Sequence, residues 1–136
     1  MPFFNASVSV QIKAPIKKVW EHITKPELVK KYFFGVDIET DWKKNSAIYF
    51  RGEWQGNKFE DKGKILDIQE NKHLSFLYWS SFLGKPDSLE SYQKVTYDLI
   101  EKNGVTTVTI AQECENKDHC EQNWKMVLEG LKKLCE

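Results

Sequence analysis

From Val36 to Cys114 the chain reads as β almost without interruption, and the segment after it switches to helical period. Strands are predicted near 37–42, 46–54, 57–69, 73–81, 91–101 and 105–114. Their separators are Lys44-Asn45, Gln55-Gly56-Asn57, Glu70-Asn71, a loop at Gly84-Lys85-Pro86-Asp87, and Asn103-Gly104. These are turn-forming residues set between β-branched and aromatic runs. Asn103-Gly104 is the strongest hairpin signal, because both residues tolerate the positive φ of a type I′ turn. Strands joined by connections this short form an antiparallel meander, not βαβ units.

The last segment opens with Asp118-His119-Cys120-Glu121, which has capping-box form. Cys120, Trp124, Val127, Leu128, Leu131, Leu134 and Cys135 then recur at three- and four-residue steps. A helix over 119–135 would be about 26 Å long at ~1.5 Å per residue, enough to cross a sheet. Upstream, Phe4, Ala6, Val8, Val10 and Ile12 alternate with polar residues, the signature of a strand with one buried face. Ala14-Pro15 ends it, and Ile16, Val19, Trp20 and Ile23 follow at helical spacing. Lys25-Pro26 begins a second short helix, with Leu28, Val29, Tyr32 and Phe33 as its stripe and Gly35 as a left-handed cap.

The expected order is therefore β-α-α-β6-α, an α+β fold in one domain over 1–136. A seven-stranded antiparallel sheet would curve around the long C-terminal helix, the only element able to cover its apolar face.

Lys+Arg and Asp+Glu number 20 each in the 136 residues, so no net field draws a phosphate backbone, and nucleic acid is not expected as a partner. No apolar run approaches the ~18 residues of a membrane span, and no secretory signal is evident. Cys114, Cys120 and Cys135 show no CxxC spacing, which predicts reduced thiols in a cytoplasmic protein, not a disulfide framework. The sequence carries no Gly-rich phosphate loop, no GxSxG and no HExxH, so no cofactor or metal is expected. His119-Cys120 with Cys114 could hold a metal only in principle. His22, His73 and His119 lack partners at a spacing that suggests a base or ligand.

Several stretches resemble a known family. They are Ile12-Lys-Ala-Pro-Ile-Lys-Lys-Val-Trp20, Asp41-Trp-Lys-Lys-Asn45, Tyr49-Phe-Arg-Gly-Glu-Trp54, Glu60-Asp-Lys-Gly-Lys-Ile-Leu-Asp67, Glu90-Ser-Tyr-Gln-Lys-Val-Thr-Tyr-Asp-Leu99 and Asn123-Trp-Lys-Met-Val-Leu-Glu-Gly-Leu-Lys-Lys-Leu134. Together they are similar to the AHSA-type branch (activator of heat-shock chaperone ATPase homologue-like) of the SRPBCC, or START-like, helix-grip superfamily. The resemblance implies the helix-grip fold and a cavity between sheet and long helix. It implies no single activity, since the superfamily includes lipid carriers, hormone-binding proteins, polyketide cyclases and aromatases, and co-chaperone domains.

Strand parity assigns one inward set: Tyr49, Arg51, Phe59, Asp61, Ile65, Phe76, Tyr78, Gln93, Val95, Tyr97, Val108, Ile110 and Gln112, faced by Trp124, Leu128 and Leu131. These side chains either line a ligand cavity or interdigitate into a filled core, and a one-residue slip in register inverts any strand. Arg51, Glu53 and Asp61 form either a ligand-orienting cluster or an ordinary cross-strand ion pair on the outer face. Gln93 and Gln112 either bond a ligand or satisfy each other. Trp42, Trp54 and Trp79 lie on strands, where they form core, a pocket mouth or a contact surface.

Three functions stay open at this point. The first is a binding module for a small hydrophobic or amphipathic ligand, as monomer or homodimer. The others are a cavity enzyme such as a cyclase, aromatase or hydrolase, and a co-chaperone-like interaction domain.

Overall fold

The computed structural model describes residues 4–80, 87, 88 and 91–136. The alternating N-terminal segment forms strand β1, Phe4–Ile12. Proline at 15 starts helix α1, Ile16–Thr24, and Pro26 starts the one-turn α2, Pro26–Val29. The stripe residues expected on a longer second helix continue as hydrogen-bonded turns to Phe33 and stop where Phe34 and Gly35 take positive φ. The meander follows as β2 Asp37–Thr40, β3 Ala47–Trp54, β4 Asn57–Gln69, β5 His73–Trp79, β6 Gln93–Lys102 and β7 Val105–Cys114, with α3 over Lys117–Cys135 closing the chain. The expected loop at Gly84-Lys85-Pro86 and the end of the strand drawn to 81 lie outside the described residues.

All seven strands belong to one antiparallel sheet in the order β1-β7-β6-β5-β4-β3-β2. Asn103 and Gly104 have φ of 54° and 79°, the two positive values that a type I′ hairpin requires. Gln55 and Gly56 repeat that conformation between β3 and β4. A bulge between Ile65 and Asp67 shifts the register of β4 against β5.

Helix α3 buries Trp124, Val127, Leu128, Leu131 and Cys135 against the sheet, and α1 adds Val19, Trp20 and Ile23 to the same core. Leu134, expected on the stripe, is exposed instead. The cap also differs from expectation: Asn116, two residues before Asp118, accepts the backbone N–H of His119 and starts the helix earlier. On its polar flank α3 runs beside the open edge of β1. Glu121 accepts from Ser7 N–H at 3.2 Å, Glu136 from Lys13 N–H at 2.8 Å, and Lys132 donates to the carbonyl of Gln11 at 2.9 Å. Those side chains satisfy backbone groups that no further strand pairs, which blunts the edge.

The cysteines correct the reduced-thiol expectation. Cys114, the last residue of β7, is joined to Cys120 in the first turn of α3, while Cys135 is free and buried in the core. Cys120 therefore serves as a covalent tie and not as a small hydrophobe of the stripe. Closing a loop of six-residue separation stabilises by about 2 kcal/mol in the chain-entropy account. Reduction should lower the unfolding midpoint by roughly 5–10 °C, read by scanning calorimetry with and without reductant. A Cys114→Ser/Cys120→Ser variant should melt at the reduced midpoint; a midpoint that ignores reductant would remove the tie from the account of stability.

Candidate functional site on the concave face

Residues opposite one another in an antiparallel ladder share a face. Phe50 stands opposite Asp61, Gly63 opposite Tyr78 and Tyr78 opposite Gln93; Ile65, Phe76, Val95 and Gln112 form a second row. The burial of Phe50, Asp61, Ile65, Phe76, Val95 and Gln93 identifies this as the concave face toward α3. Aromatic rings run across it in contact. Phe50 meets Tyr78 at 5.5 Å and Phe76 at 5.7 Å between centroids, Phe76 meets Tyr97 at 6.1 Å, and Tyr97 meets Trp124 at 5.8 Å. Phe33, from the turn after α2, closes on the far side of Trp124 at 5.7 Å. Phe33 and Phe50 were not among the expected site residues. The opposite parity of β3 places Phe50 inward, and Phe33 falls on the stripe of the predicted second helix.

Two polar groups interrupt this surface. Trp124 Nε1–H donates to Gln112 Oε1 at 2.6 Å, and Gln112 Nε2 donates to Gln93 Oε1 at 2.5 Å, so the two amides satisfy each other and orient the indole. The second is Asp61, only 5% exposed. Its Oδ2 accepts from the Tyr78 hydroxyl at 2.5 Å, and the Ser80 hydroxyl also bonds the carboxyl. Asp61 Oδ1 has no hydrogen-bond partner among the described residues. Burial raises the Asp61 pKa, opposed by the bonds from Ser80 and Tyr78. Burial, and then the neighbouring Asp61 charge, push the Tyr78 phenol far up, so the proton between them belongs to the tyrosine.

The other expected site residues divide. Phe59 is half-buried on the concave side, lying against Gly52, where an added Cβ would stand 2.7 Å from its ring. Leu128 and Leu131 are 1% exposed on α3. Tyr49 and Arg51 do not face inward, because Ile48 and Phe50 fill the inner positions of β3. Arg51 bonds Glu39 and Glu60 on the outer face, both at 2.7 Å, with its guanidinium 4.9 Å over the Tyr49 ring. The ion pair is thus the ordinary cross-strand one, and Arg51 and Asp61 lie on opposite faces. Glu53 is exposed opposite Lys58.

Elsewhere, His73 Nδ1 pairs with Asp98 at 2.6 Å across β5 and β6, a partner that chain spacing did not reveal. The His22 ring bonds the carbonyl of Lys18 one turn before it, and the His119 ring bonds Asn123 one turn after it. Among the described residues no group of three or more His, Cys, Asp or Glu is placed to hold a metal. No described helix is long and apolar enough to cross a membrane. Trp42 is half-buried against the core, and Trp79 stacks on Tyr92 beside Lys62. The Trp54 side chain lies outside the description. An open cleft of about 550 Å³ lies at the β1 edge of the sheet, between Ser7, Val8 and Ser9 and the first turns of α3.

Comparison with known proteins extends this architecture. A protein of Cytophaga hutchinsonii, solved in solution, is 40% identical, with 98% of this chain and 94% of that one covered and a TM-score of 0.85. CalU16 from Micromonospora echinospora is 19% identical over 97% of this chain and 76% of that one, with a TM-score of 0.74. The Aha1 dimer from Colwellia psychrerythraea is 18% identical over 98% and 96%, with a TM-score of 0.75. At these last two identities the likeness concerns the fold alone. No curated protein matches the chain. The family described as Activator of Hsp90 ATPase homolog 1-like protein matches residues 13–136, nearly the whole length, and this chain belongs to it.

Proposed function

We propose that the protein is a binding module that encloses a small apolar or amphipathic molecule between the concave sheet and α3. The observation that carries this reading is the continuous aromatic surface from Phe50 through Phe76 and Tyr97 to Trp124, with a polar group at each end. Apolar walls with a few fixed polar atoms are the usual make-up of small-molecule sites. Binding would proceed by desolvation of the ligand and one or two hydrogen bonds, with no bond chemistry.

The test is thermal unfolding of the whole chain against long-chain fatty acids, alcohols and amines, sterols and polycyclic phenols. A true ligand at a hundred times its Kd adds about 2.7 kcal/mol to the folded state and raises the midpoint accordingly. Unmoved melting curves across all of these classes would count decisively against the reading.

A cavity enzyme is the second reading, supported by the 2.5 Å contact of Tyr78 with Asp61. In it, Asp61 Oδ1 is the general base and Tyr78, which keeps its proton, is the hydrogen-bond donor. Homodimerisation and a chaperone partner rest on the family, and nothing in the described surface favours either over the ligand.

A further inference from the structure

We infer that Asp61 receives the polar end of the ligand, and that this end is a protonated amine carried on an apolar skeleton. The inference rests on the binding reading above and names the ligand class for the same interior. Asp61 is 5% exposed, and one carboxyl oxygen has no partner among the described residues. Buried acceptors are normally satisfied, and a charged one left open costs more than a neutral one.

The deficit is one of charge as well as of hydrogen bonding. Tyr78 and Ser80 offer neutral hydroxyls only. The described cations of β3 and β4 lie on the other side of the sheet: Arg51 is engaged with Glu39 and Glu60, Lys62 with Asp87 and the Trp79 ring, and Lys58 and Lys64 share the parity of Lys62. A buried carboxylate without a counter-ion is strongly disfavoured, and a partner cation relieves that cost most fully. Burial accordingly raises the Asp61 pKa. An ammonium group brings three donors and a positive charge to an acceptor that lacks both. The Phe50 ring, across the ladder from Asp61 and edge-on to Tyr78, adds a face on which a cation is favoured. A ligand alcohol would meet the hydrogen bond but not the charge, and a ligand carboxylate would be repelled.

Nonylamine, nonanol and nonanoate share one skeleton and differ only in the head group. Titrated calorimetrically into the whole protein at neutral pH, the amine should bind about tenfold tighter than the alcohol, the gain of a charged over a neutral hydrogen bond, with the carboxylate weakest. Asp61→Asn keeps the shape and an acceptor for Tyr78; it should erase the amine's advantage while retaining the alcohol. Equal affinities on the wild type, a preference for nonanoate, or an amine preference that survives Asp61→Asn overturns the head-group assignment and leaves the binding module standing. Failure of all three molecules to bind overturns the head-group assignment, and the binding module falls with it only where the melting curves also stay unmoved across the wider ligand classes. The wild-type order alone decides the assignment even where the variant does not fold.

Discussion

Trp124→Ala should lower the stability of the folded protein by about 3–5 kcal/mol, as large aromatic deletions in packed cores do. The residue is 8% exposed and is the point where helix and sheet meet. Its indole contacts Phe33 on one side and Tyr97 on the other, and its Nε1–H fixes Gln112, which in turn holds Gln93. Removal opens a cavity beneath α3 and leaves the partly buried Gln112 oxygen without its donor, a further cost. For a domain whose whole stability is on the order of 5–15 kcal/mol, that is a large share, and the midpoint should fall by roughly 10–20 °C. Trp124→Phe separates the two parts of the loss. It keeps an aromatic ring near Phe33 and Tyr97 but removes the donor, so it should cost about 1–3 kcal/mol. Urea unfolding of the two variants measures both. Indistinguishable small losses would mean that α3 is not anchored through this side chain.

The fold was legible because its elements carry redundant signals. Phe4–Ile12 alternates cleanly, Asn103-Gly104 has chemistry that a two-residue I′ turn strongly favours, and the α3 stripe changes period at a definite point. The site was less legible, and β3 shows why. In Ala47-Ile-Tyr-Phe-Arg both parities contain an aromatic residue, so alternation does not decide which face is inner. Only the pairing decides it, by setting Arg51 between Glu39 and Glu60 on the outside and Phe50 opposite Asp61 within. The Asp61–Tyr78 contact spans 17 residues, and it depends on a register that the bulge at Ile65/Asp67 alters further along the same strand. The Cys114–Cys120 link escaped notice for a related reason. Its spacing belongs to no recognisable motif, and the two sulfurs meet only because the chain reverses from strand to helix between them.

Gly63→Ala should be among the most damaging single-methyl additions that the chain can receive. Gly63 pairs with Ile48 on one side and Tyr78 on the other, one strand position pair beyond Asp61. A Cβ built there would stand 1.6 Å from the Leu77 carbonyl oxygen and 2.8 Å from its carbon. Both atoms are backbone, so no rotamer change relieves the clash; β4 and β5 must separate or twist. Glycine inside a strand is otherwise unfavourable, and here it serves the close approach of a neighbouring chain segment. Overpacking in well-ordered cores costs about 1–3 kcal/mol, and a backbone obstruction belongs at or above the top of that range. The displacement would fall beside the Tyr78–Asp61 hydrogen bond, so the variant should lose any ligand response even where it remains folded. Gly52→Ala provides the comparison. Its added Cβ would meet only the tip of the Phe59 ring, which can swing away, and the loss should be clearly smaller. Denaturant unfolding and amide exchange across β4 and β5 would measure the difference. If the two alanine variants proved equally stable, the tight seam between those strands could not be what holds the carboxyl in place.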